Sequence, residues 1–161
     1  MIERKFEITL KEYESVSELG DNEKALVTEA KIASTNAYAP YSGFMVGAAV
    51  SLSNGVIIRG NNRENAAFPS GSCAERTALN YAGANFPGEK ITGIAICASN
   101  GKSFTDEPVS PCGSCRQLIS EEEDRSGEKI KIILYGNNKI QVIEGVENIL
   151  PLKFNKRVMK S

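Results

Sequence analysis

The segment ITGIAICAS, Ile91–Ser99, is apolar at nearly every position. A strand with one face in water alternates apolar and polar residues, so an unbroken run needs cover on both faces. It belongs at the centre of a sheet with a layer packed on each side, and the rest of the chain supplies those layers. Asp21 or Asn22 can cap a helix on which Leu26, Ala30, Ala33 and Ala37 share one face, and which ends before Pro40. FMVGAAVSL and GVIIRGNN flank Ser53-Asn54-Gly55 and read as a hairpin, with Asn-Gly supplying the positive φ angles of a tight turn. A helix opened by Cys73 runs to about Ala84, SPCGSCRQLISEEE forms a second short helix, KIKIILYG and KIQVIEG are strands, and VENILP is a last helical turn. Near the start, Phe6, Ile8 and Leu10 alternate with Glu7, Thr9 and Lys11, which predicts a short strand before the break at SVSELGDN. The expected architecture is an α/β fold, a three-layer α/β/α sandwich on a mixed sheet. Its first strands are antiparallel and its later ones are joined by helical crossovers. The 161 residues suit one domain, expected over 21–155, with an extension over 1–20 and a tail over 156–161.

With 19 basic and 20 acidic side chains, the chain has no electrostatic footprint for nucleic acid or an anionic membrane. No apolar run approaches the roughly 20 residues that span a bilayer. A small, weakly charged ligand and a cytoplasmic location are expected.

In a reducing compartment, four cysteines without a signal peptide favour metal binding or catalysis over a disulfide framework. The chain contains no histidine, which removes the usual zinc nitrogen ligand and any Ser/His or Cys/His nucleophile pair. Any metal site must therefore use sulfur and carboxylate. Cys112-Gly-Ser-Cys115 can direct two sulfurs to one ion at a helix start, and Cys73 stands at the start of another helix, where the dipole favours thiolate. A redox role for the Cys112–Cys115 pair would leave Cys73 unexplained. Cys97 lies in the middle of the apolar strand. If it is a small buried hydrophobe, three sulfur ligands leave the fourth position on zinc for water and the site is catalytic; if it joins them, the site is a closed structural one. Glu75 can reach an ion over the end of the Cys73 helix and serve a water there. Three thiolates make zinc a weak Lewis acid, so Arg76 and Arg116, each close to a ligand cysteine, are candidate donors to ligand sulfur; the alternative is that both are solvated surface charges.

Taken together, CAERTA, SPCGSCRQ, YAPYSGFMVGAAV and GNNRENAAF resemble the small zinc-dependent cytidine deaminases, from about Ala30 to Phe154. The resemblance implies hydrolytic deamination of cytidine and 2′-deoxycytidine to uridine and 2′-deoxyuridine. Cys73, Cys112 and Cys115 would hold Zn2+, and Glu75 would carry protons between the attacking water, ring N3 and the departing ammonia. It further implies that Asn62 and Glu64 bind the ribose hydroxyls, that Phe44 packs against the pyrimidine and that the backbone N–H of Ala74 holds the base. Read alone, Asn62 and Glu64 are alternate residues at a strand end and Phe44 a core residue. Gly47, Ala48 and Ala49 resemble close-packing positions near the site. The family implies a homotetramer in pyrimidine salvage, with Phe154 reaching a neighbouring subunit's site.

Three rivals remain. The first is deamination of another aminopyrimidine nucleoside, such as a blasticidin-like compound, and the second is a non-enzymatic zinc domain with Cys97 as fourth ligand. The third, deamination within a polynucleotide, is opposed by the neutral charge and by an aromatic content of 7% without tryptophan.

Overall fold

Strand β4, Ile91–Ser99, is the axis of the molecule, with β2 antiparallel on one side and β5 parallel on the other. The computed structural model describes residues 1–159; Lys160 and Ser161, the end of the expected tail, lie outside the described residues. Among the described residues one mixed sheet runs in the order β1-β6-β5-β4-β2-β3. The other strands are β1 Lys11–Tyr13, β2 Met45–Leu52, β3 Ile57–Asn61, β5 Lys131–Tyr135 and β6 Ile140–Glu144.

The apolar run of β4 divides its side chains between two cores. Ile94 and Ile96 face α2, Ala74–Asn85, and α3, Gly113–Ser126, through Ala78, Leu79 and Ile119. Ala95 and Cys97 face α1, Asp21–Ser34, through Leu26, Val27 and Ala30. Both isoleucines are essentially inaccessible to solvent, each contributing about 1.5–3 kcal/mol by burial. The three layers expected from the sequence are present.

Several local expectations change. The alternation of Phe6, Ile8 and Leu10 forms no strand; β1 instead covers Lys11–Tyr13, because that is where the backbone pairs with β6, Tyr13 opposite Ile140. Phe6 and Ile8 are exposed, so a period of two without a covering layer does not make a strand. The residues before 21 thus contribute an edge strand to the sheet. The N-cap of α1 is Gly20, not Asp21 or Asn22, and its N–H donates to the Glu23 carboxylate (2.8 Å); the helix ends at Ser34, leaving Ala37 beyond it. In the β2–β3 hairpin, Gly55 alone has positive φ (84°), while the Asn54 side chain accepts from Val56 N–H (3.0 Å) and closes the turn itself. Among the described residues only β4 to β5 is a helical crossover between neighbouring parallel strands, made by α3; β5 and β6 are antiparallel neighbours.

Two glycines set how closely the helices approach. A Cβ on Gly47 would lie 2.0 Å from the Ala30 carbonyl oxygen of α1, and one on Gly60 would lie 2.4 Å from the Ala74 oxygen and 2.5 Å from the Ala78 nitrogen of α2. Gly47 and Ala49 therefore face α1, on the opposite side of the sheet from the cysteine-bearing helices, and of the three positions read as lying near the site only Ala48 packs toward α2.

Candidate metal centre and nucleoside cavity

Helices α2 and α3 each open on a cysteine. Cys73 and Cys112 are the N-caps, both with extended backbone; the Cys112 sulfur faces the first backbone N–H groups of α3. A serine, threonine or aspartate cap would stabilise a helix by about 1 kcal/mol. Cysteine at these two positions replaces that oxygen with a larger, softer atom, and the two sulfurs turn toward each other. Cys115, one turn into α3, is fully buried and completes the group. The three Sγ atoms lie within 4.8 Å of one another, Cys73 and Cys112 at 3.9 Å. Zn–S bonds of about 2.3 Å at tetrahedral angles separate sulfurs by about 3.8 Å, so the donor set fits zinc. Cys97 is not in the group. It is buried on the α1 face and burial pushes its thiol up to about 11, so the four-cysteine reading is corrected.

The electrostatics also ask for a cation. Burial, and then the nearby Glu75 charge, raise the Cys73 and Cys115 thiols above the usual range. Burial acts on Cys112 in the same direction but is outweighed by hydrogen bonds, the Cys115 backbone N–H foremost, so Cys112 is lowered. Glu75 is 5% exposed, and burial raises its carboxyl above the usual range. Three thiolates and a carboxylate this close are mutually unfavourable until a divalent ion joins them.

These groups lie at a cavity of about 470 Å³ whose lining includes Phe44, Asn62, Glu64, Cys73, Ala74, Glu75 and Cys112. Phe44 is 38% exposed and lines this cavity, so it is not a core residue. Asn62 accepts from Val46 N–H and donates to the Phe44 carbonyl, both at 2.8 Å. Glu64 accepts from Tyr41 N–H (2.8 Å), Ser42 N–H (3.3 Å) and the Ser42 hydroxyl (2.5 Å); these hydrogen bonds, the hydroxyl's first, hold its carboxyl below the ordinary value. Phe154 does not line its own chain's cavity; it is exposed, and its carbonyl accepts from Gln117.

The two arginines do something other than expected. Arg116 gives Nε to the Pro111 carbonyl and Nη1 to the Ile149 carbonyl, both at 2.9 Å, and so fixes the turn that carries Cys112. Arg76 gives Nη2 to the Ser114 hydroxyl (2.6 Å), tying α2 to α3, while its Nε is buried without a partner. Sequence reading missed Tyr41 and Phe68, which meet edge-to-face at the cavity wall with centroids 5.9 Å apart, and Ser42 behind them. The turn-rich stretches APYSG and FPSG marked loops there, but nothing local showed that the two loops meet.

Fold and site together define a zinc hydrolase on an α/β/α scaffold, with its metal at two helix starts and a buried carboxylic acid beside it. The chain belongs to the family described as the cytidine and deoxycytidylate deaminase zinc-binding region, whose model matches residues 21–126. It is 44% identical over 96 residues to a cytidine deaminase of Halalkalibacterium halodurans, an alignment covering 60% of this chain and 68% of that protein. A cytidine deaminase of Mycoplasma genitalium is 32% identical over 120 residues, 74% of this chain and 85% of the other. The crystal structure of a cytidine deaminase from Burkholderia pseudomallei superimposes with a TM-score of 0.68 at 35% identity, over 81% of this chain and 97% of that one.

Proposed function

We infer that the chain hydrolyses cytidine and 2′-deoxycytidine to uridine and 2′-deoxyuridine, releasing ammonia. The observation that carries this reading is the convergence of Cys73, Cys112 and Cys115 beside the buried Glu75 at a cavity of nucleoside size. Cys73, Cys112 and Cys115 would hold zinc, which would supply the Lewis acidity that activates the attacking water.

The chain's own groups do the rest. Glu75, whose carboxyl burial raises above the ordinary value, takes a proton from the attacking water and gives it to N3 as the oxygen bonds to C4; it then takes the proton of the new C4 hydroxyl and delivers it to the amino nitrogen as the C4–N bond breaks and the C4 carbonyl forms. Phe44 offers its ring to the base, and the Ala74 N–H, in the first turn of α2, offers a hydrogen bond to it.

At the sugar end, a carboxylate has about four acceptor sites and Glu64 has filled three; the Asn62 amide has one donor and one acceptor site still open. One acceptor on Glu64 and one donor on Asn62 match a single hydroxyl, which donates to the first and accepts from the second. A sugar lacking its 2′-hydroxyl still satisfies both.

The assembly is a homotetramer in the cytoplasm that serves pyrimidine salvage, with Phe154, 63% exposed, contacting a neighbouring site. The test is loss of cytidine absorbance with purified zinc-loaded protein, beside deoxycytidine, cytosine and deoxycytidine monophosphate. Turnover of the two nucleosides is expected; no deamination of any of the four refutes the reading.

A further inference from the structure

The wall of the cavity that carries Phe44 is held by a relay of side chains whose centre is Ser42. The Ser42 hydroxyl donates to Glu64 Oε1 (2.5 Å) and accepts from the Phe44 backbone N–H (2.9 Å). The Phe44 carbonyl accepts from Asn62 Nδ2 (2.8 Å), so both backbone groups of the residue that presents the ring are fastened to this network. Glu64 Oε2 also accepts from Tyr41 and Ser42 N–H, which anchors the segment leading into Phe44.

The serine hydroxyl acts both ways at the centre of the relay. With an acceptor at Glu64 and a donor at Phe44 N–H, one hydroxyl satisfies both, and no aliphatic side chain can. Ser42 is exposed and outside both cores, so packing does not account for it.

We propose that Ser42 is a positioning residue for substrate binding: it fixes the Phe44 ring against the base and holds Glu64 in the orientation that leaves its open acceptor site toward the sugar. Its effect is exerted through Phe44 and Glu64 and not on the reacting atoms. Loss of the hydroxyl therefore weakens ground state and transition state alike and appears in KM, with little change in kcat. Because this rests on the nucleoside deaminase reading, the test carries an arm that needs no turnover.

Ser42→Ala and Ser42→Thr are compared with the wild type for cytidine turnover, bound zinc and amide hydrogen exchange over residues 39–46. In Ser42→Ala, KM for cytidine is expected to rise about tenfold, the loss of roughly one charge-assisted hydrogen bond, with kcat within about threefold and zinc unchanged. The Phe44 amide should exchange about tenfold faster in the same variant, and Ser42→Thr, which keeps the hydroxyl, should restore both values. Unchanged KM in Ser42→Ala, or a raised KM that threonine does not restore, overturns the proposal while wild-type turnover upholds the function. If the wild type turns over no nucleoside, the function reading falls, and unchanged Phe44 exchange in Ser42→Ala overturns the positioning role independently.

Discussion

Gly60 is the position at which fold and metal site can be separated by one methyl group. It sits in β3 beneath α2, where an added Cβ would lie 2.4 Å from the Ala74 oxygen and 2.5 Å from the Ala78 nitrogen. Both are backbone atoms of a helix and cannot rotate away. Restoring an ordinary contact near 3.4 Å requires the start of α2 to lift by about 1 Å. Cys73 and Glu75 are carried by that turn, whereas Cys112 and Cys115 belong to α3 and stay. Zinc–ligand distances tolerate about 0.2 Å, so the displacement exceeds what the site can absorb. Gly60→Ala is expected to lose about 1–3 kcal/mol of stability by overpacking and at least tenfold in zinc affinity, read by chelator competition, with turnover falling alongside. Gly47→Ala is the matched control: it makes a comparable clash with α1, on the other face, and should lower the melting temperature while leaving zinc affinity within about twofold. Equal effects of the two substitutions on zinc affinity, or none from Gly60→Ala, would refute the claim that this close approach sets the metal geometry.

Glu75→Gln should retain zinc while turnover drops by about 10²–10⁴, measured by cytidine absorbance; undiminished turnover rules out the proton-carrier role. Cys112→Ala should lose metal and activity, whereas Cys97→Ala, changed on the far face, should keep near-normal zinc by elemental analysis. Initial rates on cytidine and deoxycytidine should give kcat/KM values within about tenfold of each other, since the Asn62–Glu64 pair has open hydrogen-bonding capacity for one hydroxyl. Glu123 is buried and accepts from Ile130 and Val146 N–H (2.9 Å each), and burial raises its carboxyl above the ordinary value. A raised carboxyl costs the folded state nothing while both states are protonated, and stability falls as pH rises through the unfolded value toward the folded one. Glu123→Gln keeps an acceptor and removes the titration, so denaturant melts should show its advantage over wild type growing from pH 4 to pH 7.

The layers of the fold were legible because β4 is apolar throughout and only a covered strand tolerates that. The cysteine cluster was legible in part: a chain without histidine leaves sulfur as the soft donor, and Cys73, Cys112 and Cys115 stood at two helix starts, while Cys97 in mid-strand stayed open as a fourth until the fold placed it on the other face. What stayed hidden depended on partners distant in sequence. Tyr13, not Phe6 or Ile8, forms a strand because Ile140 lies opposite it. Arg116 looked like a donor to sulfur because Cys115 is its neighbour, yet its guanidinium reaches Ile149, 33 residues on. Asn62 and Glu64 were visible as a pair on one side of a strand end, but their attachment to Phe44 and Ser42 exists only once β2 and β3 are side by side.

The two halves of the site solve one electrostatic problem from different directions. Three sulfurs and Glu75 gather negative charge in a place where burial alone disfavours it. The fold answers with the starts of two helices, whose unpaired N–H groups and dipoles point positive ends at the same spot, and with Arg76 bridging them through Ser114. All of these contributions come from backbone groups and a guanidinium, so none adds to the negative charge that it offsets. A cysteine at each N-cap takes the place of an oxygen cap, and a zinc ion held by Cys73, Cys112 and Cys115 would join the two helix ends.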